Sequence, residues 1–99
     1  MSLDLFNLSG KVAIITGASR GLGQYLTRAL AKAGADVVIT SRNVESLKEF
    51  TQEIESLGRK VLPLPLDVRK QQSIQEMADA ASDHFGRIEL LVNNAGCNV

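Results

Sequence analysis

The chain is short of almost everything that would mark a specialised environment. It has one cysteine, Cys97, so no internal disulfide can form, which agrees with a reducing compartment. Tryptophan is absent and aromatic residues make up 4% of the chain. Lysine and arginine total 11, aspartate and glutamate total 11, and the formal net charge is zero, which argues against a polyanion as partner. No apolar run approaches the roughly 18 residues that a membrane-spanning helix requires. The N-terminus, Met1 to Phe6, has no basic segment leading into an apolar core, so no secretory signal is read and a cytoplasmic location is expected. The single histidine, His84, has no neighbours at metal-ligand spacing and reads as a surface residue near a helix end, where a cation is favoured.

What is present is 44% hydrophobic residues in short blocks, each followed by a glycine-punctuated amphipathic segment. Lys11 to Ile15 is an apolar run of the kind buried in a parallel sheet, and Leu22, Leu26, Ala29, Leu30 and Ala33 fall at helical spacing behind it. Three glycines join the two: Gly17, Gly21 and Gly23, in the order G-x-x-x-G-x-G within Thr16 to Gly23. A glycine-rich turn between a strand and a helix lets the backbone approach a pyrophosphate and aims the helix's unpaired N–H groups at it. A dinucleotide is the expected ligand.

The same alternation continues along the chain. Asp36 to Ser41 reads as a second strand, and Asn43 as the N-cap of a helix reaching Leu57 before Gly58, with Leu47, Phe50, Ile54 and Leu57 inward. Lys60 to Leu66 reads as a third strand. Its prolines, Pro63 and Pro65, share one parity, so both missing N–H groups lie along one side and the strand belongs at a sheet edge. Lys70 to Phe85 reads as a third helix, with Ile74, Met77, Ala78, Ala81 and Phe85 on one stripe and Gly86 behind it, and Ile88 to Val92 as a fourth strand. The fold class is therefore α/β, a Rossmann-type doubly wound parallel sheet in the order 3-2-1-4.

The glycine order, together with Asn93-Asn94-Ala95-Gly96 after the fourth strand, resembles the two signatures of the short-chain dehydrogenase/reductase family. Hydride exchange between a nicotinamide and an alcohol or carbonyl substrate is what that resemblance implies. It also implies cofactor contacts from Gly17, Ser19, Arg20, Gly21, Leu22 and Gly23 in the loop and from Asn94, Ala95 and Gly96, with Asn93 bracing the strand ends. Asp67 and Val68 match the family position that holds the adenine ring, although Asp67 also suits a turn. In the dinucleotide fold an acidic residue ends the second strand and binds the ribose hydroxyls of NAD. Here Ser41 and Arg42 stand there, and Asp36 begins that strand at the wrong end of the sheet. Losing the carboxylate removes repulsion of a 2′-phosphate, and Arg42 and Arg20 supply cations for it, so NADP is expected over NAD. As a residue starting a helix, Arg42 also has an ordinary solvated reading.

Catalysis in the resembled family uses a Tyr-x-x-x-Lys pair and a serine beyond a fifth strand. Tyr25 has Ala29 where the lysine would be, and no catalytic residue is assigned. At 99 residues the chain reads as a partial domain, residues 1–99 being the N-terminal, cofactor-binding part of a longer enzyme and inactive alone. A non-catalytic dinucleotide-binding module or truncated product is the alternative. The segment Leu5 to Lys11 and the Ser41-Arg42-Asn43 corner resemble gluconate 5-dehydrogenase-type members. Family members are typically homotetramers built through later helices, which is the implied assembly of the full-length protein.

Overall fold

The computed structural model describes residues 7–19 and 21–94. Four strands, β1 (Val12–Ile15), β2 (Asp36–Ser41), β3 (Val61–Pro65) and β4 (Leu90–Val92), form one parallel sheet in the order β3-β2-β1-β4. The crossovers carry α1 (Gly21–Lys32), α2 (Lys48–Glu55) preceded by a 3₁₀ turn at Val44–Leu47, and α3 (Gln71–Phe85). The strand order and the edge position of β3 are those expected from the sequence.

Strand parity explains the layers. Ala13 and Ile15 of β1 and Val37 and Ile39 of β2 face one way, joining Ala31, Leu47, Phe50 and Ile54 from the α1 and α2 side. Val12, Ile14 and Val38 face the other way, against Met77 and Ala81 of α3. The two inner strands are thus covered on both faces, which is why they read as unbroken apolar runs. Val37 N–H donates to the Lys60 carbonyl at 3.0 Å and Leu66 N–H to the Ser41 carbonyl at 2.9 Å. Even-numbered residues of β3 therefore turn their backbone groups to β2, and Pro63 and Pro65 face outward, where their missing N–H groups cost no ladder bond.

Several details depart from the sequence expectation. The buried residues of α1 are Gly23, Thr27 and Ala31, whereas Leu22 and Ala29 are exposed and Leu26, Leu30 and Ala33 half-buried. Small residues four apart bring this helix close to the loop and sheet, and the Thr27 hydroxyl satisfies itself on the Gly23 carbonyl at 2.7 Å. Asn43 does cap, its side chain accepting from Glu45 N–H, but the turn it starts is 3₁₀ and the α-helix begins only at Lys48. Leu57 lies beyond the last residue of α2 and is exposed, since helical spacing no longer directs it inward. Ile74 is exposed too, because only Met77 and Ala81 of the α3 stripe meet the core fully. β4 is shorter than expected, with Leu90 and Leu91 exposed along a strand that pairs, among the described residues, with β1 alone.

None of the described helices is long and apolar enough to cross a membrane.

Candidate functional site

Strand register brings the site together. Ile15 pairs with Ile39 and Val92, and Ile39 with Pro63, so the four strands end nearly level. Their C-terminal ends deliver Thr16 to Ser19, Ser41 to Arg42, Leu66 to Val68, and Asn93 to Asn94 to one rim of the sheet. In a doubly wound sheet a ligand crevice forms beside the strand at which the chain reverses direction across the sheet, here β1.

The loop after β1 is held on three sides. Ala18 N–H donates to the Thr40 carbonyl at 2.9 Å, Thr16 N–H donates to the Val92 carbonyl at 3.0 Å, and Asn94 Nδ2 donates to the Gly17 carbonyl at 3.1 Å. Gln24 Nε2 reaches back to the Ser19 carbonyl at 3.0 Å. Two glycines of the motif are required for different reasons. Gly21 has φ +57°, in the left-handed region, with open space where a Cβ would project. At Gly23 a Cβ would drive into the Gly17 carbonyl oxygen and lie 3.0 Å from both Ala18 Cα and Asn94 Nδ2. The loop is therefore folded tightly onto the start of α1, with room left on its outer side at Gly21.

Ser19 is half-buried in this loop and Leu22 is exposed on the first turn of α1. Arg20, Ala95 and Gly96, expected to join the site, lie outside the described residues. Thr16, absent from the expected set, links β1 to β4 through its hydroxyl, 3.2 Å from Asn93 Oδ1 and 3.3 Å from the Val92 carbonyl. The bracing expected of Asn93 is thus made with Thr16. A hydroxyl residue directly after a buried strand is the available signal.

At the other end of the rim Ser41 Oγ lies 3.3 Å from Ser46 Oγ, and Arg42 is exposed. Arg42 shares the wall of an open cleft of about 790 Å³ with Pro65, Leu66, Asp67 and Lys70. Asp36 is at the opposite end of β2, its Oδ1 accepting from Lys60 N–H at 2.9 Å, so it cannot reach this cleft.

Asp67 is held at both its main chain and its side chain. Its N–H donates to Ser73 Oγ at 2.9 Å and its carbonyl accepts from Lys70 N–H at 3.0 Å. Its Oδ1 accepts from both the backbone N–H and Nε of Arg69, each at 3.0 Å, and its Oδ2 accepts from Arg69 Nη2 at 2.9 Å. The turn-forming reading of Asp67 is therefore realised as an Asx turn closed by a two-bond arginine fork. The Arg69 hydrogen bonds, side chain before backbone, hold the Asp67 carboxyl well below the usual carboxylate range, and the Asp67 carboxylate raises the Arg69 guanidinium. Val68, next in the chain, has no hydrogen-bond partner for its N–H among the described residues.

The rim thus combines a close-approach glycine turn with a second turn in which Arg69 holds the Asp67 carboxylate. Similarity to known proteins covers most of the chain. A family model described as short chain dehydrogenase matches residues 11–99. The 2-dehydro-3-deoxy-D-gluconate 5-dehydrogenase of Escherichia coli (strain K12) is 44% identical over 97% of this chain and 37% of its own length. Gluconate 5-dehydrogenase of Gluconobacter oxydans (strain 621H) is 43% identical over 94% of this chain and 36% of its own. The chain spans little more than a third of the curated relatives it matches. Among solved structures, a 7α-hydroxysteroid dehydrogenase complexed with NADH superposes with a TM-score of 0.88 at 34% identity, over 94% of this chain and 36% of the other. A metagenomic short-chain oxidoreductase in complex with NADP gives 0.81 at 38% identity, over 86% and 38% respectively. With these relationships and a sheet in the order 3-2-1-4 behind the glycine turn, the chain belongs to the short-chain dehydrogenase family.

Proposed function

We propose that this chain is the N-terminal, cofactor-binding part of an NAD(P)-dependent oxidoreductase acting on an alcohol or carbonyl group, with NADP preferred. The observation that carries the reading is the glycine turn: Gly23 sealed against the Gly17 carbonyl and Asn94, with open space at Gly21. A pyrophosphate needs that close backbone approach and a helix start behind it. In this reading Gly17, Ser19, Arg20, Gly21, Leu22 and Gly23 hold the pyrophosphate region. Asp67 and Val68 take the adenine edge, and Asn94, Ala95 and Gly96 lie along the cofactor beyond β4. Bound nicotinamide supplies hydride transfer; this chain's own residues bind, orient and shield.

The preference for NADP rests on Ser41 and Arg42. A hydroxyl replaces the carboxylate that would repel a 2′-phosphate, and the exposed Arg42 guanidinium is free to form charge-assisted bonds to it. Each such bond is worth about 1.5–3 kcal/mol. Arg42→Ala is expected to weaken NADPH binding by about tenfold or more while changing NADH binding little. Titration of both cofactors by nicotinamide fluorescence checks this, and equal losses or a native preference for NADH would refute the NADP assignment. The whole protein is proposed to act as a cytoplasmic homotetramer on a small-molecule alcohol or carbonyl, the relatives named for gluconate derivatives giving the first compounds to assay.

A further inference from the structure

We infer that Arg69 is a positioning residue for base recognition, holding the Asp67 carboxylate so that it presents one acceptor beside the Val68 N–H. The inference rests on the proposed reading that Asp67 and Val68 meet the adenine edge, and it concerns a residue that the reading does not use. An ionised carboxylate has about four lone-pair sites, two on each oxygen. Oδ1 spends both of its sites on the Arg69 backbone N–H and Nε, and Oδ2 spends one on Nη2. One site on Oδ2 remains. The main chain of Asp67 is pinned as well, through Ser73 Oγ and Lys70 N–H, so neither the backbone nor the carboxylate can swing without breaking bonds.

What this arrangement offers is an acceptor at Asp67 Oδ2 followed by a donor at Val68 N–H. Adenine presents the complement, the N6 amino donor beside the N1 acceptor. Hypoxanthine inverts both, placing an O6 acceptor where N6 was and an N1–H donor where the acceptor was. A site built to hydrogen-bond one edge rejects the inverted one strongly, because its polar groups are left facing like partners. Without the Arg69 guanidinium, Asp67 keeps its charge and the bond from the residue 69 N–H to Oδ1, but loses the two bonds that fix where Oδ2 points, so the carboxylate can pivot about that single bond and the acceptor loses its set direction. The Arg69 side chain is 69% exposed, so its removal leaves the packed core untouched.

The test is the ratio of dissociation constants for reduced nicotinamide hypoxanthine dinucleotide phosphate and NADPH, measured by titration of the protein and its variants. The unmodified protein is expected to favour adenine by about tenfold or more. In Arg69→Ala the ratio should fall to within about threefold of unity, and Arg69→Lys, which keeps the charge but not the two-bond fork, should restore only part of it. A purely structural Arg69 would lower both affinities or the melting temperature and leave the ratio unchanged. An unchanged or increased ratio in both variants overturns the inference. Asp67→Ala separates the two claims: an unaltered ratio there refutes the adenine reading itself, whereas a collapsed ratio there with an intact one in Arg69→Ala refutes only the role of Arg69.

Discussion

At the scale of single residues, the two motif glycines at the head of α1 do different work and should fail differently. Gly23→Ala places a methyl group on the Gly17 carbonyl oxygen, a backbone atom that cannot turn aside. Displacing the loop to admit it is expected to cost about 1–3 kcal/mol of stability and to abolish dinucleotide binding. Gly21→Ala meets no atom within 4 Å and carries only the strain of φ +57°, about 1–2 kcal/mol. Thermal unfolding together with cofactor titration distinguishes the two, and equal loss of binding in both would contradict the geometry. The Asp67–Arg69 pair makes a pH prediction whose sign follows from its direction. A carboxyl held below its unfolded value stabilises the folded chain fully above the ordinary carboxylate range and loses that contribution as pH falls below about 4. Arg69→Ala should therefore lower stability slightly at neutral pH, as expected of a surface pair, and the two profiles should converge as the carboxyl protonates, so that the acid limb of the variant is flatter. Urea denaturation across pH reads it directly, and parallel acid limbs in the two proteins would refute it.

Elements are decided by which bonds they have left to make. β3 is a strand with its outward N–H groups removed at Pro63 and Pro65, and of residues 61, 63 and 65 only Val61 retains an outward donor. Such an edge resists pairing with another chain. Replacing both prolines with valine restores two outward donors on an apolar strand, and the expected outcome is faster self-association with the inward ladder to β2 intact. Light scattering at matched concentrations tests it, and unchanged association would show that the prolines do not guard the edge. The start of the α2 region depends on Asn43, whose side chain accepts from Glu45 N–H at 3.1 Å. Asn43→Ala should cost about 1 kcal/mol, measurable as a lowered melting temperature. The stripe of α1 shows why spacing alone misassigns a face. Leucines at positions 22, 26 and 30 are the strongest apolar signal in that helix, yet the sheet takes Gly23, Thr27 and Ala31, because close approach favours small residues and Thr27 satisfies its own hydroxyl.

For the molecule as a whole, the sheet has two edges of unlike character. The β3 edge is blocked by prolines; the β4 edge carries Leu91, 64% exposed, and Leu90 beside it. An apolar edge with no strand beside it among the described residues is a template for association. The 99-residue chain by itself is therefore expected to associate at micromolar concentration, and a monodisperse monomer in sedimentation velocity would contradict this. It is also expected to show no turnover of alcohols or ketones with either cofactor, since its one tyrosine has no lysine four residues on. Carbonyl reduction by the purified chain would overturn that expectation.

Periodicity and punctuation were sufficient to determine the alternating elements, the bounds of β2, the edge position of β3 and the strand order, because those follow from local backbone chemistry and from chirality rules that apply to every parallel sheet. The glycine turn was legible for the same reason: a backbone conformation closed to other residues leaves its mark in residue type. Tertiary structure alone decided which face of α1 is buried, where β4 begins to pair, that Asn94 locks the Gly17 carbonyl, and that Arg69 takes three of the four acceptor sites of Asp67. Each of these depends on side-chain direction and on distances between segments, which are set when the layers pack and have no counterpart in spacing along the chain.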